Sequence, residues 1–296
     1  MKSARAHSPA KLNLFLAVTG RRPDGYHELV SLAAPLTWGD DLLAEETEGG
    51  FSLECSDPRV PLGRDNLVLR AAEAFQAASG WRGGARFILD KRIPIEAGLG
   101  GGSSNAVAAL RALNELAGGP LGDAGLLKIA AGVGSDCPLF LNGGPVVMRG
   151  RGERIEPLPA NPAARLRGRR VFLFKPGIDI STASAYARLA DRAPDSYLSA
   201  AEAERRLASW LGDPSAAAED ILFNSFERPV FDRFMALPVL LDRMQSRFGL
   251  APRMSGSGSA CFALLPSEGG PPPDGVAALV RDAWGSPAFF AEARIA

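Results

Sequence analysis

The chain has 296 residues, 46% hydrophobic and 22% charged, the balance of an ordinary globular protein. Basic and acidic residues cancel to a net charge of +0, which excludes nucleic acid as the main partner and confines any anion site to a local feature. The three cysteines, Cys55, Cys137 and Cys261, form no close pair, which argues against a disulfide framework or a zinc site and fits a reducing cytoplasm.

Residues 12–18 (LNLFLAV) predict a buried strand. The stretch follows Lys11, as a signal peptide's apolar core follows its basic start. It is short, however, Asn13 interrupts it, and no small-residue cleavage site follows. No apolar run reaches the roughly 18 residues that a membrane span needs. Residues 22–26 (RPDGY) predict a turn, and 29–36, 41–46 and 51–55 further strands. Residues 65–80 predict a helix with Asp65 as N-cap and Gly80 at its end. A strand over 85–93 leads into a glycine-rich stretch. A helix over 103–117 follows, with Val107, Leu110, Leu113 and Leu116 as its apolar stripe. A second helix covers 121–134. Residues 138–158 predict two strands joined by Asn142-Gly143-Gly144.

Residues 159–169, rich in Pro, Ala and Arg without periodicity, place a domain boundary near 160. The second half opens with a strand over 170–176, and several helices run to about 248. A small-residue turn enters a strand over 260–265. A helix over 274–284 and a strand over 287–295 end the chain. Mixed helices and antiparallel strands predict an α+β fold in two domains, 1–160 and 161–296. Residues 191–220 read equally as an ordered helix or a mobile flap.

The informative stretch is 94–110, PIEAGLGGGSSNAVAAL. It is no P-loop, because no Lys follows the glycines. It is no dinucleotide fingerprint either: Ser103 stands where the third spaced glycine belongs. Consecutive uncovered backbone N–H groups, followed by a helix N-terminus, form an anion nest. The side chains of Ser103, Ser104 and Asn105 could cap that helix, bind phosphate oxygens or hold Mg²⁺. The bland alternative is a flexible loop ending in an N-cap. Glu96 would repel an anion there unless it turns away, the preferred reading, or helps to hold Mg²⁺.

The stretch resembles the second motif of the GHMP kinases, in which P-x-x-x-G-L precedes a run of small residues. Residues 252–264 (PRMSGSGSACFAL) resemble the third motif of the superfamily, and 134–153 (GSDCPLFLNGGPVVMRGRGE) and 175–186 (KPGIDISTASAY) resemble stretches of one of its member families. Residues 8–29 (SPAKLNLFLAVTGRRPDGYHEL) resemble the branch whose acceptor is a cytidyl-diphosphate-linked methylerythritol. The resemblance implies a two-domain GHMP kinase fold, with an N-terminal half like ribosomal protein S5 domain 2 and a ferredoxin-like C-terminal half. Substrates would meet in the cleft between the halves. It implies ATP-dependent phosphorylation of the acceptor's 2-hydroxyl in non-mevalonate isoprenoid synthesis. The loop of Pro94, Ile95, Glu96, Ala97, Gly98, Leu99, Gly100, Gly101, Gly102, Ser103 and Ser104 would embrace the ATP phosphates. Mg²⁺ would be held mainly by phosphates, with Ser104 as candidate ligand.

By the same resemblance Lys11 and Asp136 are the catalytic pair. A carboxylate can accept the alcohol's proton as the new bond forms, and a neighbouring ammonium keeps that carboxylate ionised. Cytosine would lie between Tyr26 and Tyr186 with His27 at its edge. Asn13, Thr182, Gly256, Ser257 and Gly258 would face the acceptor. Partners are small molecules only, with no nucleic acid or membrane, in a cytoplasmic monomer or homodimer. The rival readings are a GHMP kinase for another alcohol, such as homoserine or mevalonate, and a silent nucleotide-binding protein.

Overall fold

Two long strands open the chain in the computed structural model, which describes residues 2–266 and 269–296. They are β1 (Ser3–Arg21) and β2 (His27–Thr47), joined by the expected turn at 22–26. The strands expected over 29–36 and 41–46 are thus one element. Pro35 and Gly39 read as a break, yet the strand carries through. Its residues 29–36 are buried without alternation, as in a strand covered on both faces.

Contacts divide the chain into two units. The first comprises Met1–Ala10, Trp38–Ile95 and Gly100–Gly143; the second comprises Lys11–Thr37, Glu96–Leu99 and Gly144–Ala296. β1 and β2 pass from one to the other, so packing units and halves of the sequence differ. Residue 160 falls inside the second unit.

In the first unit β4 (Gly84–Asp90) runs antiparallel to the end of β2, with Asp41 opposite Asp90 and Thr47 opposite Gly84, and parallel to β3 (Phe51–Cys55). Four helices belong to the same unit: α1 (Leu67–Ser79), α2 (Gly101–Leu116), α3 (Asp123–Val133) and α4 (Cys137–Asn142). Phe75 of α1, Phe87 of β4 and the stripe Val107, Leu110, Leu113 and Leu116 of α2 are buried. The cap of α1 is Asn66, not Asp65: Asn66 has the extended backbone of a cap, and its side chain accepts from the Val68 amide at 2.9 Å.

Residues 138–142 are not a strand. They form α4, with Pro138 in its first turn and left-handed Gly143 closing it. A five-residue apolar run has no usable period, so end signals decide, and here both favour a helix. The hairpin lies further on, between β5 (Val146–Gly150) and β6 (Arg154–Pro157). Its turn is closed by the Glu153 carboxylate, which accepts from the Arg151 amide.

In the second unit β5 pairs antiparallel with the start of β2. The stretch 159–169, expected to hold the domain boundary, holds the short helix α5 (Ala160–Leu166). β7 (Arg170–Lys175), β9 (Arg253–Met254), β10 (Cys261–Leu264) and β11 (Phe289–Arg294) form an antiparallel sheet in the order β11-β7-β10-β9. Counted within that sheet the order is fourth, first, third, second, the ferredoxin-like arrangement. Phe172, Phe174 and Phe262 fill its core. Between β7 and β9 lie α6 (Thr182–Ala190), α7 (Ala200–Gly212), the two-residue strand β8 (Phe223–Asn224), α8 (Glu227–Phe231) and α9 (Ala236–Phe248). α10 (Pro273–Trp284) precedes β11. The segment 191–220 therefore contains an ordered helix, α7, which buries Trp210. Among the described residues no helix is long and apolar enough to cross a membrane.

Candidate active site

The glycine stretch is held from beneath by one buried carboxylate. Asp40 on β2 accepts from the Arg92 and Ile93 amides at 2.7 Å each, from Lys91 Nζ and from Asn105 Nδ2 at 2.8 Å. All these groups lie in the first unit. A buried carboxylate is tolerated only with such a set of donors. Asn105 Nδ2 also donates to Ser8 Oγ at 2.7 Å. Its amide is thus committed within the protein, and Ser103 and Ser104 are left as the side chains of that helix start able to face an anion.

α2 begins within the glycine run, two residues earlier than expected. Its N-cap, Gly100, has φ +72° and supplies no side-chain cap. The first-turn N–H groups and the positive end of the helix dipole therefore have no side-chain acceptor at that cap. Ser104 is buried, and its Oγ has no hydrogen-bond partner. Ser103 is half-buried, as are Pro94 and Ile95, whereas Ala97 and Leu99 are buried. Glu96 is exposed, and its φ of +48° is the one positive value at a non-glycine among the described residues.

Lys11 and Asn13 stand on β1 in the second unit, both buried. Lys11 Nζ donates to Asn13 Oδ1 at 2.5 Å, Asn13 Nδ2 donates to Ser31 Oγ at 2.9 Å, and Ser31 Oγ donates to the Phe15 carbonyl at 2.7 Å. This chain fixes the ammonium. The Asn13 carbonyl, expected to face the acceptor, accepts from the lysine here.

The second small-residue turn, 255–258, lies against the first loop inside the same unit. Ser255 Oγ donates to the Gly98 carbonyl at 3.1 Å, and the Ala260 amide donates to the Ala97 carbonyl at 3.1 Å. A Cβ on Gly98, whose φ is +72°, would come 2.1 Å from the Ser255 carbonyl oxygen. One on Gly256 would come 2.8 Å from the Gly98 oxygen and 3.3 Å from Lys11 Nζ. Only backbones without side chains can meet so closely. Ser257 Oγ lies 3.1 Å from Thr182 Oγ1, so these two expected acceptor contacts are brought together.

The aromatic group also gathers in the second unit. His27 stacks on Tyr186 at 4.7 Å between centroids, and Tyr197 stands edge-on to it at 6.0 Å. Burial lowers the imidazole pKa, and Arg21 lowers it further. His27 Nε2 is buried without a hydrogen-bond partner. Tyr26 is 55% exposed, and its ring carries the Arg151 guanidinium at 4.6 Å.

Asp136 is half-buried at the N-cap of α4, in the first unit, and its side chain makes no capping hydrogen bond. The next residue, Cys137, has its thiol pushed up to about 11 by burial, which removes it as a nucleophile. Sequence reasoning did not single out Ser31, which holds Asn13, or Arg151, which lies over Tyr26. No local pattern marks them, because each is defined by a partner far along the chain.

Residues 66–144 match the model of the GHMP kinases N terminal domain, the class that this fold and glycine loop define. The chain is 41% identical to a 4-diphosphocytidyl-2-C-methyl-D-erythritol kinase from Thermotoga maritima, across 90% of this chain and 94% of that protein. A solved 4-(cytidine 5'-diphospho)-2C-methyl-D-erythritol kinase is 36% identical, with a TM-score of 0.77 over 99% of this chain and 100% of that one. The mevalonate kinase of Methanococcus jannaschii, 14% identical, shares the fold with a TM-score of 0.72 over 100% of this chain and 98% of that one. The chain belongs to the 4-diphosphocytidyl-2-C-methyl-D-erythritol kinase family of GHMP kinases.

Proposed function

We propose that the protein transfers the γ-phosphoryl group of ATP to the 2-hydroxyl of 4-diphosphocytidyl-2-C-methyl-D-erythritol, giving the 2-phosphate and ADP on the non-mevalonate route to isoprenoids. One observation carries the reading. The uncapped start of α2, fed by left-handed Gly98 and Gly100, holds the buried, unpartnered Ser104 hydroxyl. It is a cradle of donors with one polar atom in want of a ligand. In this reading residues 94–104 bind the triphosphate. Mg²⁺ would neutralise the transferring group's charge, with the Ser104 hydroxyl as its ligand from the protein.

Asp136 accepts the proton of the acceptor hydroxyl as the P–O bond forms. Lys11, fixed by Asn13, offsets the charge developing on the transferred group. Cytosine stacks at Tyr26 and Tyr186, and a largely neutral His27 offers its unpartnered Nε2 to the base edge. Thr182 and the backbone of 256–258 bind the remaining hydroxyl groups of the acceptor. The chain acts in the cytoplasm, as monomer or homodimer.

The test is ADP release with the cytidyl substrate, homoserine and mevalonate side by side. Turnover is expected with the first alone. Silence on it with turnover of either of the others overturns the assignment.

A further inference from the structure

β8 is only two residues long, yet it holds a fully engaged amide. Phe223 and Asn224 pair in parallel with Phe15 and Leu16 of β1. The pairing continues through Ser225, whose amide donates to the Leu16 carbonyl at 2.9 Å and whose Oγ accepts from the Val18 amide at 3.0 Å. This fixes Asn224 beside β1, the strand that carries Lys11.

Every polar group of the buried Asn224 side chain is used. Nδ2 donates to the Met254 carbonyl at 2.7 Å and to the Gly256 carbonyl at 2.8 Å, and Oδ1 accepts from the Phe226 amide at 2.9 Å. Two carbonyls on one side and an N–H on the other leave a single orientation of the amide. The Met254 amide is held as well, by the Glu227 carboxylate at 2.9 Å.

The clamped carbonyls belong to the backbone that meets two functional groups. Gly256 lies where a Cβ would stand 2.8 Å from the Gly98 oxygen and 3.3 Å from Lys11 Nζ. A small-residue turn has little stiffness of its own. Its distance from Lys11 is set by what joins it to β1: Asn224 through β8, and the Ser255 bond to the Gly98 carbonyl next to Leu99, whose carbonyl accepts from the Lys11 amide at 2.9 Å.

We propose that Asn224 is a positioning residue of this kinase, holding the 255–258 turn against Lys11 and the glycine loop so that the phosphoryl group and the acceptor align. The inference rests on the roles given above to Lys11 and that turn.

Asn224→Asp tests it. A carboxylate would face two carbonyl oxygens where an NH₂ now donates, while the acceptor for the Phe226 amide is kept. Amide hydrogen exchange over 254–260 should rise about tenfold or more, with β7 unchanged. kcat should fall by about tenfold or more, with KM for ATP and for the acceptor each held within about threefold. Asn224→Ser, which shortens the side chain without adding charge, should show the same pattern if the Asp variant fails to fold. Unchanged protection over 254–260, or exchange that rises equally everywhere, overturns the clamp. So does a kcat that falls only as the folded fraction falls. Exchange does not depend on turnover: a wild-type chain inactive on the cytidyl substrate overturns the functional reading, and the clamp is then judged by exchange alone.

Discussion

Asp136 and Lys11 carry different parts of the proposed chemistry, and a neutral isostere separates them. Asp136→Asn keeps shape and loses the base, so kcat should fall about a hundredfold or more. ATP affinity by calorimetry should stay unchanged, and a near wild-type kcat would remove Asp136 from the reaction. Gly98→Ala tests the meeting of the two small-residue loops. The added methyl would sit 2.1 Å from the Ser255 oxygen at a φ of +72°, which should cost roughly 1–3 kcal/mol in urea unfolding; an unshifted midpoint would refute the close approach. Glu227 gives a pH signature. Burial raises its carboxyl pKa above the ordinary value of 4.5. The native state therefore keeps a proton that the unfolded chain has released. Its contribution is full below the ordinary value and is lost as pH rises through the raised one. Glu227→Gln should gain stability over wild type as pH rises above the ordinary carboxyl value, and a difference that stays constant with pH would contradict the burial.

Elements with strong end signals were legible in the sequence, and short ones were not. Periodicity and Gly80 mark α1, yet the cap they suggest lies one residue from the true one, Asn66. Asp65 and Asn66 are chemically equivalent candidates, and only the extended backbone of Asn66 settles which one turns its oxygen to the Val68 amide. Asn66→Ala should cost about 1 kcal/mol of stability, whereas Asp65→Ala should leave the unfolding midpoint in place; equal effects would refute the assignment. The sequence of α4 reads as a strand because its apolar run is too short to show a period. β8 left no trace at all, since two residues cannot declare a strand without the β1 backbone beside them.

Burial, which belongs to the whole molecule, sorts the three thiols. Cys137 and Cys261 are buried, and burial pushes both pKa values up; Cys55 is half-buried with a smaller rise. Ellman's reagent should label Cys55 first in the native protein and the other two only on unfolding; three equal rates would be inconsistent with this core. The α+β class and the motifs were readable along the chain, because each rests on residues close in sequence: a glycine run feeding a helix, a turn of Pro and Asp-Gly, an apolar period. Tertiary structure alone decided which of the polar side chains remain available. Asn13 reads as an acceptor contact, and Asn105 as a cap, a phosphate contact or a Mg²⁺ ligand; folding adds that Asn13 accepts from Lys11 and that Asn105 donates to Ser8 and Asp40, while Ser104 Oγ and His27 Nε2 stay unpartnered. The reason is physical. Backbone preference acts over a few residues, but a hydrogen bond is satisfied by whatever folding brings near, as Ser255 meets Gly98 across 157 positions of chain.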